Sequence, residues 1–568
     1  MVRLLLALFL LFQSPLSLAQ SACGKPATPI ASVQGPGEQS PMAGKQVTVE
    51  GILTRDARQG TGLQGFYLQQ ADSETDDNPA TSEALFVYTR KNGGREGDRL
   101  RVRGYVKEYH GLTELVRISE LLSCGRGEKP APVEVSLPWD DKQPPEALEN
   151  MRIKLAGPLT VIDQYFLYRY GQVTLATSDQ WIPTQQHRPG REILQVIANQ
   201  QKARLILDDG RSHTNPDKIN WLGANRPPRA GDQTGTMTGI LDYRFNAWRF
   251  HPDSPVSLQR RNPRPDVPAR PADANLRVMA INLQNYFNGN GQGGGFESSR
   301  GARTQAELGH QTDKLVAALT APDPDVIAVM ELEADGYGEH SSLAQLADAL
   351  GEPWRYIKTD PARSRRAIRN GLLYRPDRAE PRGTPRLLEL APQQGRPVLA
   401  QTFRPVDSEQ QVRIAVAHLK SKSCRNATGI NRDQGDGQGC WARARTRAAE
   451  RVADWLNELP NPDNGRGNLL VGDLNSYAME DPLTALARAG FRNLAPENAY
   501  SFRYKGRRGT LDYALADPTL APSVLNSLYW AINSDEAPGL AYDGPDHTRQ
   551  DGLWRASDHD PVITDLRL

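Results

Sequence analysis

The chain has 568 residues, 38% hydrophobic and 24% charged, with a formal net charge of +1. One hydrophobic core does not sustain that length, and at roughly 150 residues per domain it points to two to four units, three being the working count. The composition excludes disordered and membrane-embedded classes, and the near-neutral total means that any polyanionic partner must be met by local basic patches.

The start, MVRLLLALFLLFQSPLSLAQSACG, carries an early Arg, a short apolar run and Ser17-Leu18-Ala19 as a small-residue cleavage pattern. Residues 1–19 therefore read as a secretory signal peptide. A lipoprotein signal ending at Cys23 is the competing reading, against which Gln20 stands where such a signal has an aliphatic residue. The run is too short to span a membrane, and the expectation is a soluble, secreted protein, extracellular or periplasmic. Four cysteines in an exported chain suggest two disulfides. Cys424 and Cys440 bracket the Gly-rich SCRNATGINRDQGDGQGC, a loop whose closure is worth about 3 kcal/mol in the chain-entropy model. Cys23 and Cys124 then staple the ends of the first unit. Free thiols or a metal site are the other uses of cysteine, but no Cys-x-x-Cys spacing is present.

From residue 20 to 128, short alternating segments such as KQVTVEGILTRDA, GFYLQQA and GDRLRVRGYV predict a small β-barrel, and the last of these resembles the middle of an OB-fold. From 129 to 262, MRIKLAGPLTVIDQYFLYRYGQVTLAT and GDQTGTMTGILDYRFNAWRFHP repeat the pattern and predict a second OB-like barrel. Residues 263–275 are Pro-rich, charged and aperiodic, hence a linker. From 276 to 568 apolar strands alternate with helical stretches, the signature of an α/β layered domain.

Those strands end on polar clusters: Asn282 in AINLQNYF, Glu331 in VMELE, His418 in VAHLKSK, Asp473 and Asn475 in VGDLNSY, Asp512 in GTLDYAL, Asp558 and His559 in SDHDPV. Each alone has an ordinary explanation as a cap, an Asx-turn or a half-buried histidine. Together they are costly to bury without a cation or a partner, and strand-end placement gathers them on one rim, as metal-assisted attack on a phosphodiester requires. The pair Glu480 and Asp481 reads instead as support for the N-terminus of a following helix.

In this order, with the QNYF, MELE and YRP blocks, residues 277–568 resemble the endonuclease/exonuclease/phosphatase superfamily of deoxyribonuclease I-like fold. HLKSK, GDGQGCW and the two N-terminal barrels look like its large secreted bacterial nucleases. The resemblance implies a four-layer αββα sandwich with the site on its rim. It also implies that Glu331 ligates a divalent metal with Asn282 and Asp558, and that Asp512 orients His559. Asp473 with Asn475 would position the attacking water and share its deprotonation with His559, which would accept a proton or bind the phosphate oxygens, and His418 would contact the scissile phosphate or help the leaving oxygen. An oxygen- and nitrogen-rich site without Cys suits Mg²⁺ or Mn²⁺, with Ca²⁺ as a further option.

The chain departs from that family in three places. ARSRRAIRN stands before GLLYRP, where an acidic partner of His418 is usual, and Ala417 and Ala442 replace residues that tend to be Asn. Basic clusters at Arg363, Arg365, Arg366 and Arg369, and at Arg503, Lys505, Arg507 and Arg508, fit a nucleic-acid substrate, and Tyr500, Phe502 and Tyr504 interleave with the second as candidate base-stacking rings. The expected function is a secreted nuclease acting on extracellular DNA, and on RNA as a further substrate, with little sequence specificity. The alternatives are a phosphodiesterase for a lipid headgroup such as sphingomyelin, and a non-catalytic nucleic-acid or matrix-binding protein.

Overall fold

The computed structural model describes residues 22–224, 226–289, 295–359 and 366–568; the expected signal peptide lies outside the described residues. Five strands, Gln46–Ala57, Gly65–Gln69, Ala84–Tyr88, Asp98–Tyr109 and Leu112–Arg126, close into a barrel in which the fifth lies between the third and the fourth. Period two is plain in Asp98–Tyr109, where Leu100, Val102 and Val106 are buried while Arg103, Tyr105 and Lys107 face out. Gly104 sits at a shift of register, where an added Cβ would lie 2.9 Å from the Val116 carbonyl oxygen. Cys23 is bonded to Cys124 on the last barrel strand, with Cα atoms 5.7 Å apart.

The second β-rich stretch is not the barrel that its sequence suggests. It forms a nine-stranded sheet with Leu258–Gln259 at one edge and Val133–Val135 at the other. Alternation marks strands but cannot tell whether the two edges will meet, and edges of two and three residues carry too short a ladder to close. The segment Gln180–Trp181 also leaves this sheet and pairs in parallel with Arg507–Gly509 near the C-terminus. The Pro-rich segment is held against the C-terminal part: Asp266 accepts a bond from the Trp530 indole at 3.0 Å, and Arg264 and Arg270 pair with Glu536 at 2.9 Å and Asp325 at 2.5 Å.

Residues 276–568 build two six-stranded sheets packed face to face. In Leu276–Tyr286 alternate residues serve opposite faces. Leu276, Val278 and Ala280 join the core between the sheets, with Leu399, Ile414 and Val471 of the second sheet, whereas Met279 and Ile281 pack under the helices Gln305–Thr320 and Ser342–Leu350. The outer face of the second sheet packs against Ala442–Glu458 and Asp481–Arg488. Helix, sheet, sheet, helix makes the α/β sandwich four layers thick.

Candidate active site at the rim of the sandwich

Strand register sets the first row of the site. In the second sheet His418 lies beside Asp473, and Asp473 beside Asp512, so three neighbouring strands end on three ionisable residues in line. The last turn of Gly465–Asp473 demands a glycine: Gly472 has φ +132°, and a Cβ there would come within 2.0 Å of the Ala417 carbonyl oxygen. Asn475 follows at φ 48°, a conformation Asn tolerates well. Its backbone N–H donates to Asp473 Oδ1 at 2.8 Å and its amide to Oδ2 at 3.2 Å.

Facing that row, the first sheet contributes Asn282, whose Nδ2 donates to Asp473 Oδ2 at 3.2 Å, and Glu331, which sits at φ 61° where the ladder slips between Val329 and Leu332. A side chain forced into the left-handed region at a bulge is aimed off the sheet plane, a strain that clusters at functional sites. His418 Nε2 lies 3.4 Å from Asp473 Oδ2 and 4.0 Å from Glu331 Oε1.

His559 Nδ1 lies 2.7 Å from Asp512 Oδ2, an oxygen that also accepts from the Ser501 hydroxyl at 2.7 Å. The Phe502 ring covers the imidazole with centroids 4.6 Å apart. Burial opposes charge on His559, but Asp512 and Asp558 outweigh it and raise its proton affinity well above the ordinary histidine range. His418 goes the other way: burial, then Arg396 and the His559 charge, push it well below that range. The two histidines therefore differ in charge at neutral pH. Asp473 is raised by burial, against the pull of His559, and Glu331 by burial and by Asp558.

Asp473, Asp512 and His559 bring ligand atoms within 4.8 Å of one another. A protonated imidazole already bonded to Asp512 cannot ligate a metal, so this group suits proton handling. The Glu331 side fits a divalent cation better: two carboxylates, Glu331 and Asp558, repel each other, and Asn282 Oδ1, which accepts from the Gln284 N–H at 3.0 Å, retains a lone pair. A hard cation among these oxygens relieves the like-charge strain.

Several expectations need correcting. Arg503 is not free to meet phosphate. Its fork binds Asp179 of the nine-stranded unit at 2.7 and 2.8 Å while Nε binds Asp535 at 2.6 Å. Arg508 pairs with Asp179 at 3.2 Å over the Trp181 ring, and Arg507 bonds Gln200. Planar, multidentate guanidinium groups serve here to dock one unit on another; of the four, Lys505 alone is well exposed. Tyr500 is bonded to Asp535 and Phe502 covers His559, which leaves Tyr504 as the exposed ring of that trio. In the first cluster Arg363 and Arg365 lie outside the described residues, while Arg366 bonds the Leu390 carbonyl and Arg369 lies over the Tyr337 ring. Glu480 makes no cap bond; its buried carboxylate pairs with Lys422 at 2.6 Å and accepts from Thr184 at 2.8 Å. Asp481 does lie in the first helical turn.

Two residues of the site, Arg396 and Ser501, carry no signal in the sequence, and Phe502, expected to stack on a base, covers His559 instead. Arg396 donates its backbone N–H to the His418 carbonyl and its guanidinium to that of Leu419 at 2.9 Å, next to Glu331 and Asp473. It lies in QQGRPVLA, which has no motif to find.

Residues 282–559 match the model of the endonuclease/exonuclease/phosphatase family. No curated protein matches the chain. Among solved structures it is similar to a family protein from Bacteroides thetaiotaomicron, at 15% identity over 51% of this chain and 97% of that one, TM-score 0.34. A mannosyl-6-phosphatase from the same species is similar at 15% identity over 51% and 99%, TM-score 0.35. A humanized D. rerio TDP2 is similar at 14% identity over 52% and 99%, TM-score 0.34. With the two-sheet sandwich and its polar rim, the family match makes the C-terminal part of the chain a member of the hydrolytic endonuclease/exonuclease/phosphatase family.

Proposed function

We propose that the protein is a secreted, metal-dependent phosphodiesterase that hydrolyses nucleic acid, chiefly DNA and also RNA, with little sequence preference. The observation that carries this reading is the row His418, Asp473, Asp512 in register, with His559 bonded to Asp512 at 2.7 Å and Asn282 and Glu331 opposite. Two formed disulfides support the export part of it.

In this reading Glu331, Asn282 and Asp558 would hold Mg²⁺ or Mn²⁺, which would supply Lewis-acid charge to the oxygens of the scissile phosphate. Asp512 keeps His559 protonated at Nδ1, so that Nε2–H donates to a phosphate oxygen where negative charge develops. Asp473, held by three donors from Asn475 and Asn282 and raised in proton affinity, takes the proton of the attacking water. His418, neutral, adds a hydrogen bond to the phosphate without competing for that proton.

The test is supercoiled plasmid with Mg²⁺ or Mn²⁺, with and without chelator, using wild type, Asp473→Ala and His559→Ala. Nicking by wild type alone, abolished by chelator, is expected. Intact plasmid under every divalent metal overturns the reading, and equal nicking by Asp473→Ala overturns the site.

A further inference from the structure

The segment Gln164–Gly171, QYFLYRYG, sits in the nine-stranded unit, yet its two ends are bolted down. Gln164 Nε2 donates to the Asp535 carbonyl of the catalytic part at 2.7 Å, and the Trp221 indole donates to the Gly171 carbonyl at 2.7 Å. Leu167 is fully buried and Tyr168 packs on Gly539. The remaining rings go outward: Tyr165 is 66% exposed, Phe166 45% and Tyr170 37%. They brace one another, with centroids 4.9 Å apart between Tyr165 and Phe166 and 5.2 Å between Phe166 and Tyr170. Arg169 lies over the Tyr170 ring at 5.7 Å.

Three adjoining aromatic rings in water on an anchored segment are a standing cost, because each has a large apolar surface to cover. Their position indicates what covers them. Asp163, which accepts from the Tyr165 N–H at 2.8 Å, lies against Gly506, the turn of the hairpin formed by Phe502–Tyr504 and Arg507–Gly509. That turn carries exposed Tyr504, with Lys505 over its ring, and the base of the hairpin carries Phe502 on His559. Three strand residues span about 10 Å, which separates that exposed turn from the imidazole. On the other side Tyr168 faces a cleft of about 980 Å³ whose lining includes exposed Lys218 and Arg226 beside Asp217, with Arg260 paired to Asp232 at 2.9 Å and Arg549 to Asp546.

We propose that Tyr165, Phe166 and Tyr170, continued by Tyr504 and Lys505, form a stacking platform that holds unpaired bases while the basic cleft beside it follows the phosphates, so that the protein selects single-stranded nucleic acid. Every base offers a π-face, so such a platform is indifferent to sequence, and paired bases in a duplex cannot reach it. The inference rests on the nucleic-acid reading of the active site and names the form of substrate that site receives.

The test is binding of a fluorescein-labelled oligothymidine of ~20 nucleotides, read by anisotropy in chelator so that no cleavage occurs. Its comparisons are a duplex of equal length and phosphatidylcholine–phosphatidylserine vesicles. Wild type is expected to bind the single strand tighter than the duplex, and Tyr165→Ala/Phe166→Ala/Tyr170→Ala to weaken single-strand binding at least ~30-fold. The variant should retain its melting temperature and its rate on bis(4-nitrophenyl) phosphate, since none of the three rings touches the catalytic groups. Phe166→Trp should bind as wild type. Equal single-strand affinity in the variant overturns the platform, as does tighter binding to duplex, or vesicle binding that the variant alone loses. Platform-dependent binding without hydrolysis of any phosphodiester upholds the platform and overturns the proposed function instead.

Discussion

Two buried carboxylate–imidazole clusters in this molecule are built from the same residue types and have opposite fates. Between the barrel and the nine-stranded sheet, Asp242 receives the Tyr67 hydroxyl at 2.9 Å, Arg244 at 2.9 Å and His251 at 3.3 Å, while Asp208 pairs with Arg249 at 3.3 Å. Burial alone would raise Asp242, but Arg244, His251 and Tyr67 outweigh it and hold its carboxyl well below the usual carboxylate range. At the rim Asp473 accepts from three amide N–H groups with His418 Nε2 at 3.4 Å, and Glu331 has Asp558 for a neighbour; burial outweighs the nearby His559 and Arg396 charges, and both go up. One cluster is saturated with cations and acts as cement. In the other, burial and like charge raise the carboxylates despite the nearby His559 and Arg396, which suits it to take up a metal and a proton.

That contrast can be broken in four ways, from the largest effect down. Asp512→Asn, which keeps the side-chain volume, should lower nicking by about 10³- to 10⁴-fold by mis-setting the His559 ring, with a smaller loss of melting temperature than Asp242→Ala, as initial rates and calorimetry would show. Asp242→Ala should do the reverse, costing about 3–5 kcal/mol in denaturant unfolding because it strands buried arginine charge, while the folded fraction retains its specific activity. Mg²⁺ or Mn²⁺ at ~100 times its dissociation constant should stabilise wild type by about 2.7 kcal/mol, and Glu331→Gln much less. The smallest effect concerns Glu83, in the barrel, raised to about 7 by burial and by Asp76. A carboxyl with a folded pKa above its unfolded one binds more protons when folded, so its contribution is present at low pH and is lost as pH rises from about 4.5 through 7. Glu83→Gln should therefore gain about 1 kcal/mol over wild type at pH 8, vanishing near pH 4, as paired melts at the two pH values would show.

The difference between the clusters was only partly legible in the sequence. GDLN and SDHDP announce themselves because short polar motifs at the ends of apolar strands violate the expectation for strand interiors, and period two in GDRLRVRGYV is enough to indicate a small barrel. Closure of a sheet, by contrast, depends on edges that meet in space, so the open sheet at 133–259 was not readable. Nor was the use of Arg503, because a basic run looks the same whether its partner is a phosphate or an aspartate 324 residues away. Glu480 misled for a related reason: at a helix start an acid is expected to cap, and only the fold brings Lys422 and Thr184 to it.

The pairing of Gln180–Trp181 with Arg507–Gly509 bears on where this chain can be cut. Gln185, in the short helix Pro183–Gln186 just beyond that strand, accepts from the Thr510 N–H at 3.0 Å, two residues from Asp512, and Asp179 clamps the strand that carries Phe502 against His559. A fragment trimmed to the family's own boundaries would hold every residue of the rim and lack the scaffold that keeps its histidine seated. The smallest piece worth expressing therefore starts well upstream of the family match, at the nine-stranded sheet.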